Sequence, residues 1–297
     1  MSLRINTNVA ALNAYNNLST NQSKLESAFS QLSSGLRINR AADDASGLAI
    51  SQNLTSQING MTQAVSNAND AINVTQIADG ALGTVQDILQ RMRTLVVQAG
   101  NTGSQDQTSL GAIQNEVKAL NGQLDSIGTT TKFGGKSLLD GSYNTQFQVG
   151  AGGGDVIGLD LSGVNINQGQ LGSTGVKLNA LKIATDAFSV ATPVVYGNGS
   201  GTSGTDTADD LASIDAAIST VSQARSTIGA AQNQLGYTVT NLQTAITNVT
   251  ASRSNLTDAD LATQVTKMTQ QQILTNAATS VLAQANSAPQ AILKLLQ

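Results

Sequence analysis

The chain has 297 residues, of which 11% are charged, and a net charge of −4, so neither nucleic acid nor an anionic membrane surface is an expected partner. It contains no Cys and no His, which excludes thiol and imidazole catalysis, Cys/His zinc sites and disulfides. No run of about 18 apolar residues occurs, so we expect no membrane insertion, and the N-terminus shows no secretory signal pattern.

The first half of the chain is predicted to form three helices. The first covers residues 5–36, with an apolar stripe at steps of three and four made of Ile5, Val9, Leu12, Tyr15, Leu18, Leu25, Phe29, Leu32 and Leu36. The second covers 45–99. The third follows the capping candidates Ser104 and Asp106 and is expected to stop at Gly128. The short connection between the second and third helices predicts antiparallel neighbours.

Between residues 129 and 175 the apolar pattern changes to a period of two with glycine breaks, which predicts short strands and a hairpin. The Gly-rich run 150–154 invites comparison with a nucleotide-binding loop. Asp155 stands where that motif needs its last glycine, and strand-like sequence follows, so a hairpin turn is the better interpretation. Residues 197–209 are rich in Gly, Ser and Thr, which predicts a flexible loop.

Two further helices are predicted towards the C-terminus. One covers 210–250, where an apolar stripe from Leu211 to Val249 runs without a proline for about 60 Å. A stripe of that length needs neighbouring helices to cover it. The other lies within 256–297, and Pro289 is expected to kink or interrupt it. Its apolar stripe consists of Leu274, Ala278, Val281, Ala285, Ala288, Ile292 and Leu295.

The predicted fold class is mainly α: a long antiparallel helical bundle and coiled coil with a small β-hairpin region. We expect the first and last helices to pair as a coiled coil, beside a bundle formed by 45–99, 104–127 and 210–250. A two-helix coil of small residues is marginal alone, so its outer apolar face is expected to pack against other copies. Nothing in the sequence indicates an enzyme.

Four long blocks carry a resemblance to a known family. They are QLSSGLRINRAADDASGLAIS at 31–51, ILQRMRTLVVQAGNTGSQD at 88–106, TKFGGKSLLDG at 131–141 and LAQANSAPQAILKLLQ at 282–297. On these blocks the chain resembles bacterial flagellin, over roughly 1–141 and 208–297. The middle is too short for the outer variable domains of longer flagellins, so the resemblance is to a short form.

The resemblance implies a D0 domain of the two terminal helices, 1–41 and 255–297, and a D1 bundle, 42–254, that holds the hairpin region. It implies a structural subunit that polymerises into the flagellar filament for swimming. The residues then expected to pack the filament core are Ile5, Val9, Leu12, Leu18, Leu25, Phe29, Leu32, Leu274, Val281, Ile292 and Leu295. The segment 254–258, SNLTD, departs from the family, which usually has two arginines there, so a salt bridge made by them is not expected.

The resemblance also implies partners and a location. The partners are other subunits, an export chaperone on the C-terminal helix, the filament cap and the hook-junction proteins. The location is extracellular, reached through the flagellar channel without a cleaved signal peptide, and no cofactor or metal is implied. An innate immune receptor, the Toll-like receptor for flagellin, is a further partner.

The positions that match the receptor-binding surface are Gln90, Arg91, Leu95 and Glu116, in a region that also contacts neighbouring subunits along a protofilament. From the residues alone, Arg91, Arg93 and Glu116 indicate a solvated charged face. Leu95 follows Arg91 by four positions and is expected beside it on the helix surface.

Two other classes of function stay open on the sequence. A hook–filament junction protein shares the terminal helices, but its middle would ordinarily diverge from the blocks at 88–106 and 131–141, which are intact here. A helical adaptor that does not polymerise would need no apolar stripes at its ends.

Overall fold

The fold is described from a computed structural model, which describes residues 8–101, 103–166, 172–173, 176–177 and 207–295. Within these ranges the helices are α1 (Val9–Ser34), α2 (Ala45–Ala99), α3 (Gln107–Thr130), α4 (Thr207–Thr257) and α5 (Leu261–Leu295). The strands are β1 (Lys132–Phe133), β2 (Lys136–Ser137), β3 (Asn144–Gln148), β4 (Val156–Asp160), β5 (Gly172–Ser173) and β6 (Val176–Lys177). Strand β1 pairs antiparallel with β2, β3 with β4, and β5 with β6. The predicted fold class, mainly α with a small β-hairpin region, is confirmed.

Local capping explains where α1 and α3 begin. The Asn8 side chain accepts a hydrogen bond from the Ala11 N–H at 3.1 Å, and α1 ends at Gly35, whose φ of 71° suits glycine. The carboxylate of Asp106 accepts a hydrogen bond from the Ser109 N–H at 2.8 Å. Asp106 is therefore the N-cap of α3, as its sequence context predicts.

Several predicted boundaries are wrong. The helix predicted at 5–36 is Val9–Ser34, and the helix predicted at 210–250 continues to Thr257. Helix α3 passes Gly128 and ends at Thr130, because Gly128 is buried against neighbouring elements and a helical glycine costs only about 1 kcal/mol. Residues 207–209 belong to α4 rather than to a loop. Residues 197–206 of the predicted loop lie outside the described residues. Helix α5 is not interrupted at Pro289.

The chain divides into two compact units, one made of Met1–Asn59 with Ile246–Gln297 and the other of Gly60–Ala245. In the first unit α1 packs along α5, as the sequence predicts. Leu36 and Asp258 form an antiparallel bridge at one end of the pair. At the other end the Asn8 side-chain amide donates to the carbonyl of Ala285 at 2.8 Å. The two helices are therefore antiparallel over their length.

The second unit is built around one apolar cluster contributed by α2, α3, α4 and the strand region. Its large side chains with less than 2% exposure include Leu82, Leu89, Met92, Leu138, Leu139, Leu159, Leu161, Ile166, Ile214 and Ile228. On β4 exposed and buried residues alternate, so that Leu159 joins this cluster and Ile157 joins a second, smaller one with Ala68, Ala71, Val149 and Leu235. The predicted stripes of α2, α3 and α4 thus meet around a shared core.

Candidate assembly and recognition surfaces

Helix faces, rather than a cleft with reactive side chains, are the candidate functional sites. In the part of the chain that the structure describes, no group of three or more Asp or Glu side chains could hold a metal ion. No helix in that part combines the length and the hydropathy that a membrane span needs.

The face on which α1 and α5 meet is narrow and rich in small and polar residues. On α1 and its N-cap, the buried and half-buried positions at steps of three and four are Asn8, Ala11, Ala14, Leu18, Asn21, Leu25, Ala28 and Leu32. On α5 they are Gln264, Met268, Gln271, Thr275, Ala278, Leu282 and Ala285. Steps of three and four on both helices define a two-helix seam, which we call the α1–α5 seam. The Oε1 atoms of Gln264 and Gln271 are buried there without a hydrogen-bond partner.

The residues predicted to pack a filament core fall into two groups. Leu18, Leu25 and Leu32 lie half-buried in the α1–α5 seam. The others with described side chains are 40–65% exposed, namely Val9, Leu12, Phe29, Leu274 and Val281. Ile5 lies outside the described residues, and for Ile292 and Leu295 only the helical backbone is described.

The exposed apolar residues extend beyond that predicted set. Tyr15 on α1 and Leu261, Val265 and Ile273 on α5 are also between 45% and 61% exposed. On α5, Val265 and Ile273 line a shallow groove together with Thr266, Thr269, Gln270 and Leu274. We call this outward surface of α1 and α5 the outer apolar face.

Three ion pairs connect α2 to its neighbours in the second unit. The guanidinium of Arg91 lies 2.7 Å from the Glu116 carboxylate on α3, and that of Arg93 lies 2.8 Å from Asp215 on α4. Arg225 on α4 donates in turn to Asp79 and Gln86 of α2, each at 2.8 Å. All these groups are substantially exposed to solvent, so these pairs add little to the free energy of folding.

The same contacts bear on the charge of two of the arginines. The hydrogen bond to Asp215, and after it the attraction of that carboxylate, raises the pKa of Arg93. The hydrogen bond and the charge of Asp79 raise the pKa of Arg225 in the same way. Both guanidinium groups therefore stay charged throughout the physiological pH range.

The structure brings Arg91 and Glu116 together but removes Leu95 from their surface. Gln90 is exposed beside Arg91. Leu95 is 2% exposed and belongs to the core of the second unit, so its expected place as an exposed anchor is wrong. Four residues rotate a helix position by about 40°, which is enough to carry a side chain from the rim to the core.

The first sequence block, 31–51, folds as a compact turn between α1 and α2. The backbone N–H groups of Arg40 and Asn39 donate to one carboxylate oxygen of Asp43, which lowers the pKa of Asp43. A Cβ on Gly47 would lie 2.6 Å from Cδ1 of the buried Ile38, and the Asp44 carboxylate would be nearer still. A side chain at this position would force the Asp44 and Ile38 side chains to move.

The segment 254–258 is held through its backbone instead of through its side-chain charges. The Arg37 side chain donates to the carbonyl of Leu256 at 2.6 Å, and its N–H donates to that of Thr257 at 2.7 Å. The N–H of Ala259 donates to the carbonyl of Gly35 at 2.9 Å. The contact with Arg37 is therefore made without the two arginines that this segment lacks. The sequence does not predict this contact, because backbone carbonyl acceptors leave no pattern of residue types.

Both ends of the chain are similar to known proteins. Residues 5–144 match the bacterial flagellin N-terminal helical region, and residues 211–296 match the bacterial flagellin C-terminal helical region. The chain is 40% identical to a flagellin of Bacillus subtilis (strain 168) over 319 residues, which covers 99% of this chain and 100% of that protein. It is also 40% identical to a flagellin of Xenorhabdus nematophila over 314 residues, which covers 100% of both chains. A solved Bacillus cereus flagellin has 26% identity and a TM-score of 0.45, and the match covers 60% of this chain and 88% of that one. The chain belongs to the bacterial flagellin family.

Proposed function

We propose that this chain, which as a flagellin is a structural subunit of the bacterial flagellar filament, assembles through the outer apolar face of α1 and α5. The observation that carries the proposal is the exposure of large apolar side chains along both helices, including Phe29 at 65% and Val281 at 59%. A subunit that kept these side chains in water would leave an extended apolar surface uncovered. Other copies of the same helix pair are the partner that a homopolymer supplies.

The domain assignment that goes with this proposal is D0 at 1–41 and 255–297, and D1 at 42–254. The packing of α1 along α5 and the Leu36–Asp258 bridge support a D0 made of the two ends of the chain. The shared core of α2, α3 and α4 supports a separate D1 bundle.

Truncation and point substitution test the proposal together. Deleting 1–35 or 262–297 should abolish polymerisation on filament seeds while the bundle of α2, α3 and α4 stays folded, as measured by its cooperative thermal unfolding in circular dichroism. In the full-length chain, Phe29→Ser should slow growth on seeds, whereas Glu26→Ser, an exposed polar position on the same helix, should not. Long filaments from either truncated chain would refute the proposal. A hook-junction protein would bind seed ends without elongating them, and an adaptor would leave them unchanged.

We further propose an export chaperone as the partner of α5 before assembly. The groove from Val265 to Leu274 is apolar and exposed, so it favours association until other subunits cover it. The filament cap and the hook-junction proteins are the proposed partners at the two ends of the polymer. Export through the flagellar channel is the proposed route to the outside of the cell.

A second candidate role is recognition of the monomer by the Toll-like receptor for flagellin. Gln90, Arg91 and Glu116 form an exposed patch of mixed charge across α2 and α3, and this patch supports the proposal. A guanidinium is a planar, permanently charged fork suited to carboxylate and carbonyl partners at an interface. Leu95 supports the patch from the core beneath it instead of touching a partner.

A further inference from the structure

We infer that Asn8 and Pro289 act as a pair that fixes the register of α1 against α5, and this inference rests on the proposed role of these helices in assembly. The two residues stand at opposite ends of the chain and on different helices. What joins them is the backbone carbonyl of Ala285.

Pro289 creates an acceptor on α5. In an α-helix the carbonyl of residue 285 accepts from the N–H of residue 289, and proline has no N–H. The helix nevertheless continues to Leu295. A helix that passes a proline needs another donor for the carbonyl that is released, because an unpaired buried polar group is costly.

Asn8 supplies that donor. Its side-chain Nδ2 lies 2.8 Å from the Ala285 carbonyl oxygen. Its Oδ1 accepts at the same time from the Ala11 N–H at 3.1 Å, which caps α1. One side-chain amide thus satisfies the first turn of α1 with its oxygen and the released carbonyl of α5 with its nitrogen.

The rest of the α1–α5 seam gives little register specificity. Its members are Ala and Leu with one Met and some Asn, Gln and Thr, and a shift by seven residues would preserve the steps of three and four. At every other position between Leu261 and Ala285, the carbonyl has a helical N–H four residues later. The Asn8 amide therefore reaches a carbonyl without a helical donor only in the observed register, and in other registers it would face carbonyls that are already paired. A single buried polar contact that selects a register is an established use of such groups.

The alignment matters because the outer apolar face is a composite of both helices. The Leu36–Asp258 bridge aligns the pair at one end, and the Asn8–Ala285 contact aligns it at the other. A slip would move Val9 and Leu12 away from the level of Val281 and break the surface that another subunit covers. Asn8 is therefore a positioning residue for assembly.

The test is a double-mutant cycle in the full-length chain. Asn8→Ser keeps an N-cap oxygen but is too short to reach the Ala285 carbonyl. Pro289→Ala restores the helical N–H and removes the need for the second donor. The four proteins are the unsubstituted chain, Asn8→Ser, Pro289→Ala and the double variant. The readout is register, measured by disulfide formation in filaments grown on seeds.

The chain contains no cysteine, so an introduced pair reports register without background. Because the ends pair Asn8 with Ala285 and Leu36 with Asp258, Leu18 lies level with Thr275, and cysteines there report the native register. Cysteines at Leu18 and Met268 report a slip of seven residues. Each of the four proteins is made with each cysteine pair.

We expect Asn8→Ser to lower the ratio of native to slipped cross-links about fivefold when Pro289 is present. With Pro289→Ala the same substitution should change the ratio less than about twofold, since the carbonyl then has its own donor. If Asn8→Ser changes the cross-link ratio equally with Pro289 and with Pro289→Ala, the inference is overturned. Asn8 would then act only as the N-cap of α1. If the unsubstituted chain does not grow on seeds, the proposed assembly fails. In that case the cross-link ratios are measured on the soluble chain. Asn8→Ser must again have a larger effect with Pro289 than with Pro289→Ala, and equal effects there overturn the inference.

Discussion

Arg91 on α2 and Glu116 on α3 form an ion pair at 2.7 Å although their side chains remain 56% and 42% exposed. A pair so exposed adds little to stability, so its importance lies in how it presents two charges on one surface. The guanidinium that would meet a receptor is already oriented by its neighbour in the free subunit.

Receptor signalling by the monomer should fall on removal of either partner. Arg91→Ala removes the fork itself, and Glu116→Ala removes both a charge of the patch and the group that orients Arg91. The measurement is receptor activation by monomers at matched concentrations. Arg93→Ala is the control, because Arg93 is similarly exposed but pairs with Asp215 on the other neighbouring helix. Equal potency of all four proteins would restore the interpretation of a solvated charged face.

Leu95→Ala should act through the core. The side chain is buried in the second unit, so truncation should lower the free energy of unfolding by about 2–5 kcal/mol. Arg91→Ala, one turn earlier, should lower it by at most about 1 kcal/mol. Urea unfolding followed by circular dichroism compares the two. A loss below about 1 kcal/mol for Leu95→Ala would place this residue at the surface.

Gln271→Leu should strengthen the pairing of α1 with α5. The Oε1 atom of Gln271 is buried in the seam without a partner, and leucine replaces it with an apolar side chain of similar length. Removing an unsatisfied buried acceptor is expected to stabilise the pair by about 1–3 kcal/mol.

Hydrogen exchange on the monomer measures this effect. We expect fast exchange across α1 and α5 in the unsubstituted monomer, because a seam of small residues offsets little ordering entropy. Gln271→Leu should slow it, and Gln270→Leu, on the exposed groove, should not. Strong protection of both helices in the unsubstituted monomer would contradict the expectation.

Acid should loosen the start of α3. Hydrogen bonds from the Ser109 hydroxyl and then from its N–H lower the pKa of Asp106 below its usual value. The stabilisation is therefore complete above an unfolded pKa of about 3.9 and is lost as the pH falls through the lower pKa of the folded state. Asp106→Asn keeps a capping oxygen without a titrating group. Protection factors in α3, which correct for the intrinsic pH dependence of amide exchange, should fall between pH 5 and pH 2 more steeply in the parent than in this variant, and parallel profiles would disprove the role.

Gly47→Ala should destabilise the first unit although alanine favours helices by about 1 kcal/mol. The added Cβ would meet the Asp44 carboxylate and the Ile38 side chain. Gly229→Ala is the control, because it lies within α4 with nothing near its Cβ position. Thermal unfolding should move down for Gly47→Ala and not for Gly229→Ala. An upward shift for Gly47→Ala would mean that the turn tolerates a side chain.

Periodicity predicts the bundle well and the terminal pair less well, for one physical reason. In α3 the largest apolar residues face the core of the same chain, so the stripe from Leu110 to Leu124 is the buried one. In α1 the stripe mixes both faces, since Leu18 lies in the seam while Leu12 and Phe29 are exposed. The stripe of α1 is therefore divided between a seam within one chain and a face that the same chain leaves uncovered, and spacing alone does not separate the two.

The recognition patch could be predicted only in part. Facing positions on antiparallel α2 and α3 suffice to bring Arg91 near Glu116. The burial of Leu95 depends on where the neighbouring helices lie around α2, which the spacing within one helix does not specify. The Arg37 contacts to backbone carbonyls have no signature in residue type at all.

The contact between Asn8 and Ala285 spans 277 positions of the chain. Whatever the order in which the residues become available, this hydrogen bond can close only when both ends are present in one molecule. A chain broken or stalled anywhere between them would keep its first helix without a fixed companion. The bond therefore forms within one molecule only when that molecule carries both terminal helices.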